Sequence, residues 1–438
     1  MIAEAITQEN AVLSRPSEAP RVTILTIGCK LNQAESEAMA LELSAAGCRV
    51  SDDAVPADVA IINTCAVTHV AERKARHLIR LARRISPGAR IVVTGCYAER
   101  AKGETLVDLG ADIVLRNDEK MRAATVSLDD LPRHDGQAPF RRLRTRSFVK
   151  IQEGCNDVCA FCVVPQTRGR EQSVPVDDVI KAVKRAEADA VHEVVLTGTQ
   201  LGAYGRDLDG DQSLVELIGR VLRETTVPRL RLSSVQPQDV TPALLGLWDD
   251  PRLCPHFHIA LQSGSDGVLD AMRRRYGTRE FREAAEAIRS RIPEGAITTD
   301  VLVGFPGETD EDFATTKAFC RQVEFAALHV FPFSARAGTL AARMAEHIDA
   351  GRKRVRVQEA LALGKDLRSR FLSRFEGKAM SVLFEQRVRE SYWEGLTGNY
   401  IRVVVRSDDP LENRIAEVQL ERPRGADLRG VLGEVLDN

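Results

Sequence analysis

The sequence predicts an α/β chain in three parts. These are an amino-terminal parallel α/β sheet, an incomplete (βα)6 barrel, and a small antiparallel β-barrel of OB-like kind at the carboxyl end. Three observations predict it. From residue 21 to about 125, apolar β-branched runs alternate with helical patterns, and three of the strands end at a cysteine. From Ser147 to about Ala335 the alternation resumes around six further strand candidates. After residue 378 the pattern changes to short strands punctuated by Gly395-Leu396-Thr397-Gly398-Asn399.

A chain of 438 residues, 44% hydrophobic and 28% charged with a net charge of -2, has room for two to four domains. It contains no apolar run of 18 residues, so no membrane span is expected. Residues 1–20 carry Glu4, Glu9 and Glu18 without an apolar core and read as a disordered lead-in, not a signal peptide. Nine cysteines, an odd number in a chain this long, fit metal-binding thiols in a reducing cytoplasm better than a disulfide framework.

In the first part, Val22 to Ile27, Val59 to Ile62 and Ile91 to Val93 read as strands. Helices are expected from Ala34 to Ala46 and from Arg73 to Arg84. Cys29, Cys65 and Cys96 each lie just past the carboxyl end of a different strand, the edge where open α/β sheets bind ligands. Three thiols on one edge can meet despite some thirty residues between them. The bland alternative is three small residues packed under helices. Cys48 follows a helix end and reads as structural.

Phe140 to Lys150 is a basic connector with Arg141, Arg142, Arg144, Arg146 and Lys150, either a solvated linker or a phosphate contact. The first strand beyond it leads into Cys155, Cys159 and Cys162, spaced C-x-x-x-C-x-x-C with Phe161 before the last. Thiolates this close can converge on one soft metal centre, as in iron–sulfur clusters. Three ligands on a four-iron cube leave one iron open to a substrate or cofactor. A zinc knuckle would need a nearby fourth ligand, but the next His and Cys are His192 and Cys254. Ordinary buried cysteines are the remaining alternative.

The six strand candidates are Phe148 to Gln152, Val194 to Thr197, Leu230 to Ser233, Phe257 to Leu261, Thr298 to Val303 and Leu328 to Phe331. Helices are expected over Val179 to Ala188, Leu214 to Arg223, Arg279 to Arg291 and Asp312 to Val323. Chemistry in such barrels sits at the strands' carboxyl ends. There stand Gly198 and Thr199, then Ser233 and Ser234, then Gln262, whose backbone donors and hydroxyls suit a zwitterionic, ribose-bearing ligand.

Gly338 to Glu376 reads as mostly helical, with eight Lys or Arg between Arg352 and Arg374 against Glu359 and Asp366. That face is either solvated or suited to a polyanion. In the tail, Met380 to Glu385, Tyr400 to Val405 and Ile415 to Leu420 read as strands of a barrel that often binds looped or single-stranded nucleic acid.

The Cys155–Cys162 spacing matches the signature of radical S-adenosylmethionine enzymes. The resemblance implies a [4Fe-4S] cluster that binds S-adenosyl-L-methionine and, on reductive cleavage, yields a 5'-deoxyadenosyl radical. Cys155, Cys159 and Cys162 would then be catalytic, with Phe161 near the adenine. Gly198 and Thr199 resemble the segment receiving the cofactor's amino group, and Ser233 and Ser234 its polar contact to ribose or carboxylate. Gly395 to Val403 resembles the TRAM domain of RNA-modifying enzymes.

The three parts together resemble the methylthiotransferases, through Ile27 to Gln33, Asn63-Thr64-Cys65 and Thr94-Gly95-Cys96-Tyr97. That resemblance implies a second [4Fe-4S] cluster on Cys29, Cys65 and Cys96, carrying the sulfur to be transferred. It divides the chain into the lead-in (1–20), an amino-terminal methylthiotransferase domain (21–130), a radical core with linking helix (141–376) and an RNA-binding TRAM domain (377–438). Gly28 to Gln33, Leu201 to Gly205 and Leu232 to Pro237 resemble the branch that acts on threonylcarbamoyladenosine at position 37, in the tRNA anticodon loop. The other branches act on isopentenyladenosine in tRNA or on a ribosomal-protein aspartate. A buried threonylcarbamoyl carboxylate needs a cation or backbone donors, and Arg168, Arg170 and Arg231 are the candidate cations. Arg168 to Val174 departs from that branch's basic run. A different class of reading is an RNA-binding iron–sulfur protein without catalysis. The sequence identifies neither the sulfur donor nor the electron donor.

Overall fold

The structure, a computed structural model, describes residues 19–128, 144–425 and 427–436. The expected lead-in, but for its last two residues, and Arg141 and Arg142 of the basic connector lie outside the described residues.

Five parallel strands open the chain: β1 (Arg21–Thr26), β2 (Arg49–Ser51), β3 (Val59–Thr64), β4 (Arg90–Gly95) and β5 (Ile113–Val114). Their order is β2-β1-β3-β4-β5, so the chain reverses its direction of travel across the sheet between β1 and β3. Val59 to Thr64 is buried throughout, as expected for a central strand covered by helices on both faces. One covering helix, Lys30–Ala45, buries Met39, Ala40 and Leu43. The other, His69–Ile85, buries Ala75, Ile79 and Ala82 and starts where the Thr68 side chain accepts from Ala71 N. β2 and β5 escape sequence reading because three and two residues carry no period.

A short antiparallel pair, β7 (Gln152–Glu153) with β8 (Gln172–Ser173), follows β6 (Ser147–Lys150) and brackets the cysteine loop. Parallel strands β6, β9 (Glu193–Thr197) and β10 (Arg229–Leu232) form one sheet in the order β10-β9-β6. A second holds β11 (His256–His258), β12 (Ala296–Val303) and β13 (Ala327–Pro332) in sequence order. Parallel bridges Leu230 to Leu253 and Val235 to Ile259 join the two. Helices Val176–Ala188, Leu214–Glu224, Thr278–Arg291 and Asp310–Val323 follow the strands, each starting within three residues of its expected position.

The helix beyond starts only at Ala350, capped by Asp349, and runs to Ser373. Residues 338–349, expected to be helical, are irregular, because they pack on the cysteine loop through Ala341 N to Ala160 O at 2.8 Å. Part of its basic face is committed within the chain. Arg356 is buried against Glu308 and Asp310, Arg352 pairs with Asp310, and Arg374 donates to Pro293 O.

The tail is a mixed β-sheet of β14 (Ala379–Arg389), β15 (Tyr392–Thr397), β16 (Arg402–Arg406), β17 (Ile415–Arg424) and β18 (Asp427–Val435). Each strand has two partners, β14 pairing with both β15 and β17, and Val382, Phe384, Val403 and Val418 fill the interior. The expectation of a purely antiparallel arrangement is corrected: β16 and β18 run parallel. So is the turn at Gly395 to Asn399, since Gly395 to Thr397 continue β15. A Cβ at Gly395 would stand 2.5 Å from Leu383 O, so glycine here serves a close strand crossing.

A candidate site between two cysteine triads

The register of the amino-terminal sheet brings its three cysteines to one edge. Thr64 stands opposite Gly95, so Cys65 and Cys96 leave adjacent strands side by side, and Thr26 pairs with Asn63, two residues before Cys65. Gly95 has φ +94, and a Cβ there would collide with Thr64 O. Only glycine permits that approach, and it starts the short helix Cys96–Arg100 at the cysteine. Asn32 fixes the edge by donating from Nδ2 to Ile27 O (2.8 Å) and Thr64 O (2.9 Å), while its Oδ1 lies 3.7 Å from the Cys29 sulfur.

The second triad follows β7. Gly154, at φ +72, lies so close to Arg170 O that a Cβ would overlap it. Gln152 ties this loop to the end of β9, accepting on Oε1 from Thr199 N (3.0 Å) and Gln200 N (2.9 Å). The Cys155 thiol donates to Gln200 Oε1 at 3.2 Å, and Arg274 donates from Nη1 to the Cys159 sulfur at 3.1 Å. Arg274 is itself held by Tyr276 Oη (3.0 Å) and Gln236 Oε1 (3.3 Å). Phe161 packs against an apolar group that includes Phe305 and Phe333.

All six thiols are free. Burial pushes Cys65 up to about 12, with Cys96 and Cys29 adding to the rise. Burial likewise pushes Cys162 to about 12 and Cys155 to about 11, again with neighbouring thiols adding. The members of each triad therefore lie within one another's field, and a thiolate at Cys65, Cys155 or Cys162 calls for a compensating cation. Among the described residues no three His, Cys, Asp or Glu side chains approach closely enough for a single metal ion. A four-iron cube differs, because each thiolate sits on a different corner and the sulfurs stand further apart. The donor set, three soft thiols in each group, fits the corners of such a cube.

The other strand-end residues line the same edge of the core. Ser233 is buried, and its Oγ, like the Gln200 Nε2, lacks a hydrogen-bond partner among the described residues. Ser234 beside it is half-buried. Gly198 and Thr199 lie on the loop held by Gln152, and Gln262 takes the left-handed conformation at φ +69. That conformation is costly for a non-glycine residue and collects at ligand sites.

One residue that the sequence suggested for another role joins the triads. Arg168, six residues after Cys162, donates to Asn32 Oδ1 (2.6 Å) and Glu35 Oε1 (2.7 Å) on the amino-terminal domain. It also pairs with Glu153, and Glu35 in turn takes Lys120 at 2.8 Å. Buried, with both terminal nitrogens committed to Asn32, Glu35 and Glu153, Arg168 has no terminal nitrogen to offer a substrate carboxylate as a fork. Arg231 is corrected likewise. It is wholly buried, paired with Glu193 (2.7 Å), and donates to Gly398 O (2.7 Å) in the tail sheet. Arg170 is exposed. Arg146 of the connector serves the same clamp, paired with Glu385 and donating to Tyr400 Oη (2.7 Å). Long-range pairings of this kind leave no local sequence signal.

Among the described residues no helix is long and apolar enough to cross a membrane. Residues 21–115 match the family described as "Uncharacterized protein family UPF0004", and residues 149–320 match the "Radical SAM superfamily". The threonylcarbamoyladenosine tRNA methylthiotransferase MtaB of Bacillus subtilis (strain 168) is 35% identical over 423 residues, covering 91% of this chain and 93% of its own. The protein of that name from Thermotoga maritima is 36% identical, with 94% and 96% covered. A tRNA-2-methylthio-N(6)-dimethylallyladenosine synthase of Thermodesulfovibrio yellowstonii is 33% identical, with 88% and 93% covered. Of solved structures, the radical S-adenosylmethionine methyltransferase TsrM from Kitasatospora setae aligns with a TM-score of 0.52 at 14% identity, over 71% of this chain and 73% of that one, which is a likeness of fold.

Proposed function

Because the chain belongs to the radical SAM superfamily, among the MtaB-type tRNA methylthiotransferases, we propose that it methylthiolates carbon 2 of threonylcarbamoyladenosine at tRNA position 37. The observation that carries this reading is the pair of cysteine triads, one on the edge of each α/β unit and coupled through Arg168. Residues 21–130 form the sulfur-carrying unit, 141–376 the radical core, and 377–438 a TRAM-type barrel that holds the tRNA. Cys29, Cys65 and Cys96 would hold one [4Fe-4S] cluster, and Cys155, Cys159 and Cys162 the other. Bound there, the clusters and S-adenosylmethionine supply the hydrogen-abstracting radical and the sulfur for a C–H bond that no side-chain base could deprotonate.

The chain's own residues do the rest. Gln152 fixes the β9 loop, so that Gly198 and Thr199 present their backbone to the cofactor. The unpartnered Ser233 Oγ and Gln200 Nε2 offer it hydrogen bonds. Arg274 neutralises charge at the Cys159 sulfur. Arg168 and Asn32 hold the two edges at fixed separation, which sets how far the activated carbon lies from the sulfur.

The test offers purified, reconstituted enzyme tRNA bearing threonylcarbamoyladenosine or isopentenyladenosine, with S-adenosylmethionine and sulfide, and analyses nucleosides by mass. A methylthio product from the threonylcarbamoyl tRNA is expected. Turnover of the isopentenyl tRNA alone would move the assignment to the other tRNA branch.

A further inference from the structure

With Arg168 and Arg231 committed elsewhere, a third buried cation near the two triads keeps donors in reserve. Arg336 lies four residues beyond the end of β13 and is 4% exposed. Its Nη2 pairs with Glu72, but Nε and Nη1 are buried without a hydrogen-bond partner among the described residues. A donor buried with nothing to meet it carries the full desolvation cost of the group.

Its position gives the cost a purpose. The turn carrying Arg336 is pinned to both triads' surroundings at once. His69 N, four residues after Cys65, donates to Ser334 Oγ at 3.4 Å. Arg100, four residues after Cys96, donates to Ala337 O at 3.0 Å. Ala341 N donates to the carbonyl of Ala160, between Cys159 and Cys162, at 2.8 Å. The Arg336 backbone is fixed as well, its carbonyl accepting from Thr339 N (3.1 Å) and Oγ1 (2.7 Å). Arg336 and Arg100 share Glu72 as the carboxylate in their field, which leaves a positive excess at the junction.

We propose that Arg336 is the anion receptor of the substrate pocket, its Nε and Nη1 taking an oxyanion of the bound tRNA at the modified nucleoside. This rests on the tRNA substrate proposed above. Two groups of the substrate have that chemistry, a backbone phosphate beside the target base and the threonylcarbamoyl carboxylate. Guanidinium suits either.

The experiment measures binding of three anticodon hairpins to the full reconstituted chain and to Arg336→Met. The hairpins carry threonylcarbamoyladenosine, its methyl ester, or plain adenosine, and S-adenosylmethionine affinity is measured in parallel. An affinity loss of about ten- to a hundredfold is expected for the substitution. Loss confined to the carboxylate hairpin, bringing it level with the ester, assigns the carboxylate. Equal loss on all three assigns the phosphate. Unchanged hairpin affinities, or a loss for S-adenosylmethionine alone, overturn the proposal. If Arg336→Met does not fold, Arg336→Lys keeps the charge beside Glu72 and is measured against the same hairpins with the same expected pattern. Failure of the substrate assignment itself is separable, since it shows in wild-type turnover of the isopentenyl tRNA.

Discussion

The Nη2 of Arg168 donates to Asn32 Oδ1 across 2.6 Å, and that same oxygen lies 3.7 Å from the Cys29 sulfur. A residue of the second triad's loop thus reaches a direct neighbour of the first. Arg168→Met would leave Glu35 buried with only Lys120. Stability should fall by about 3–5 kcal/mol, read as a lower urea midpoint. Arg168→Lys keeps the charge but not the fork and should recover part of it. An unchanged midpoint for Arg168→Met would mean that the junction is held elsewhere.

The cysteine assignments separate by metal content and by reaction. Reconstituted enzyme should hold about eight irons per chain, and replacing Cys155, Cys159 and Cys162 by Ala should leave about four. Cys65→Ala should retain S-adenosylmethionine cleavage while losing methylthio transfer. A normal rate of methylthiolated product from Cys65→Ala would remove the sulfur-carrying role from the amino-terminal edge.

Arg274 places a positive donor 3.1 Å from the Cys159 sulfur. Such a donor favours the more negative, reduced state of a cluster bound there. Arg274→Met should therefore shift the midpoint potential to more negative values, by up to about 60 mV for a tenfold change in a one-electron equilibrium. A redox titration followed by electron paramagnetic resonance measures it. A shift in the opposite direction would count against a role for this guanidinium at the cluster.

Two buried carboxylates predict acid lability. Burial alone would raise Glu35 and Glu193, but Arg168 and Lys120 hold the first at about 2, and Arg231 and Arg146 the second. Both lie below the ordinary glutamate value of about 4.3. Their contribution is therefore complete above that value and is lost as pH falls towards 2. The melting temperature should drop steeply between about pH 4.5 and pH 3. A flat profile over that range would show the pairs to be dispensable.

The tail's role as an RNA surface is tested without deleting it. Arg387 and Arg389 are exposed on β14. Changing both to Ser should weaken tRNA binding and flatten its salt dependence, by roughly 0.7–0.9 in log–log slope for each phosphate no longer neutralised. S-adenosylmethionine cleavage without tRNA should be unaffected. An unaltered slope would place the RNA on another face.

Much of the site could be read from the chain because its chemistry is local. The C-x-x-x-C-x-x-C spacing lies within eight residues, and strand ends announce Cys29, Cys65 and Cys96 one at a time. What holds the site together is not local. Arg168 meets Asn32 across 136 positions and Arg231 meets Gly398 across 167, and no periodicity encodes such a partner. Both arginines resemble free cations in the sequence, and only their buried pairing shows them to be structural. Arg336 is the converse, a residue with no sequence signal that emerges through donors left unmet.

The clamp on Glu193 bears on how such a chain can be recombined. Arg231 satisfies its guanidinium partly on Gly398 O and stacks at 4.3 Å on the Tyr400 ring, while Arg229 donates to Leu396 O and Ser381 O. The tail is therefore not an interchangeable cassette. A chimera that grafts another nucleic-acid module after residue 376 must supply carbonyls at those positions and an aromatic over Arg231. Otherwise it strands two guanidinium groups inside the core. Exchange of this module between relatives is thus restricted to donors with a matching loop, so the two parts must vary together.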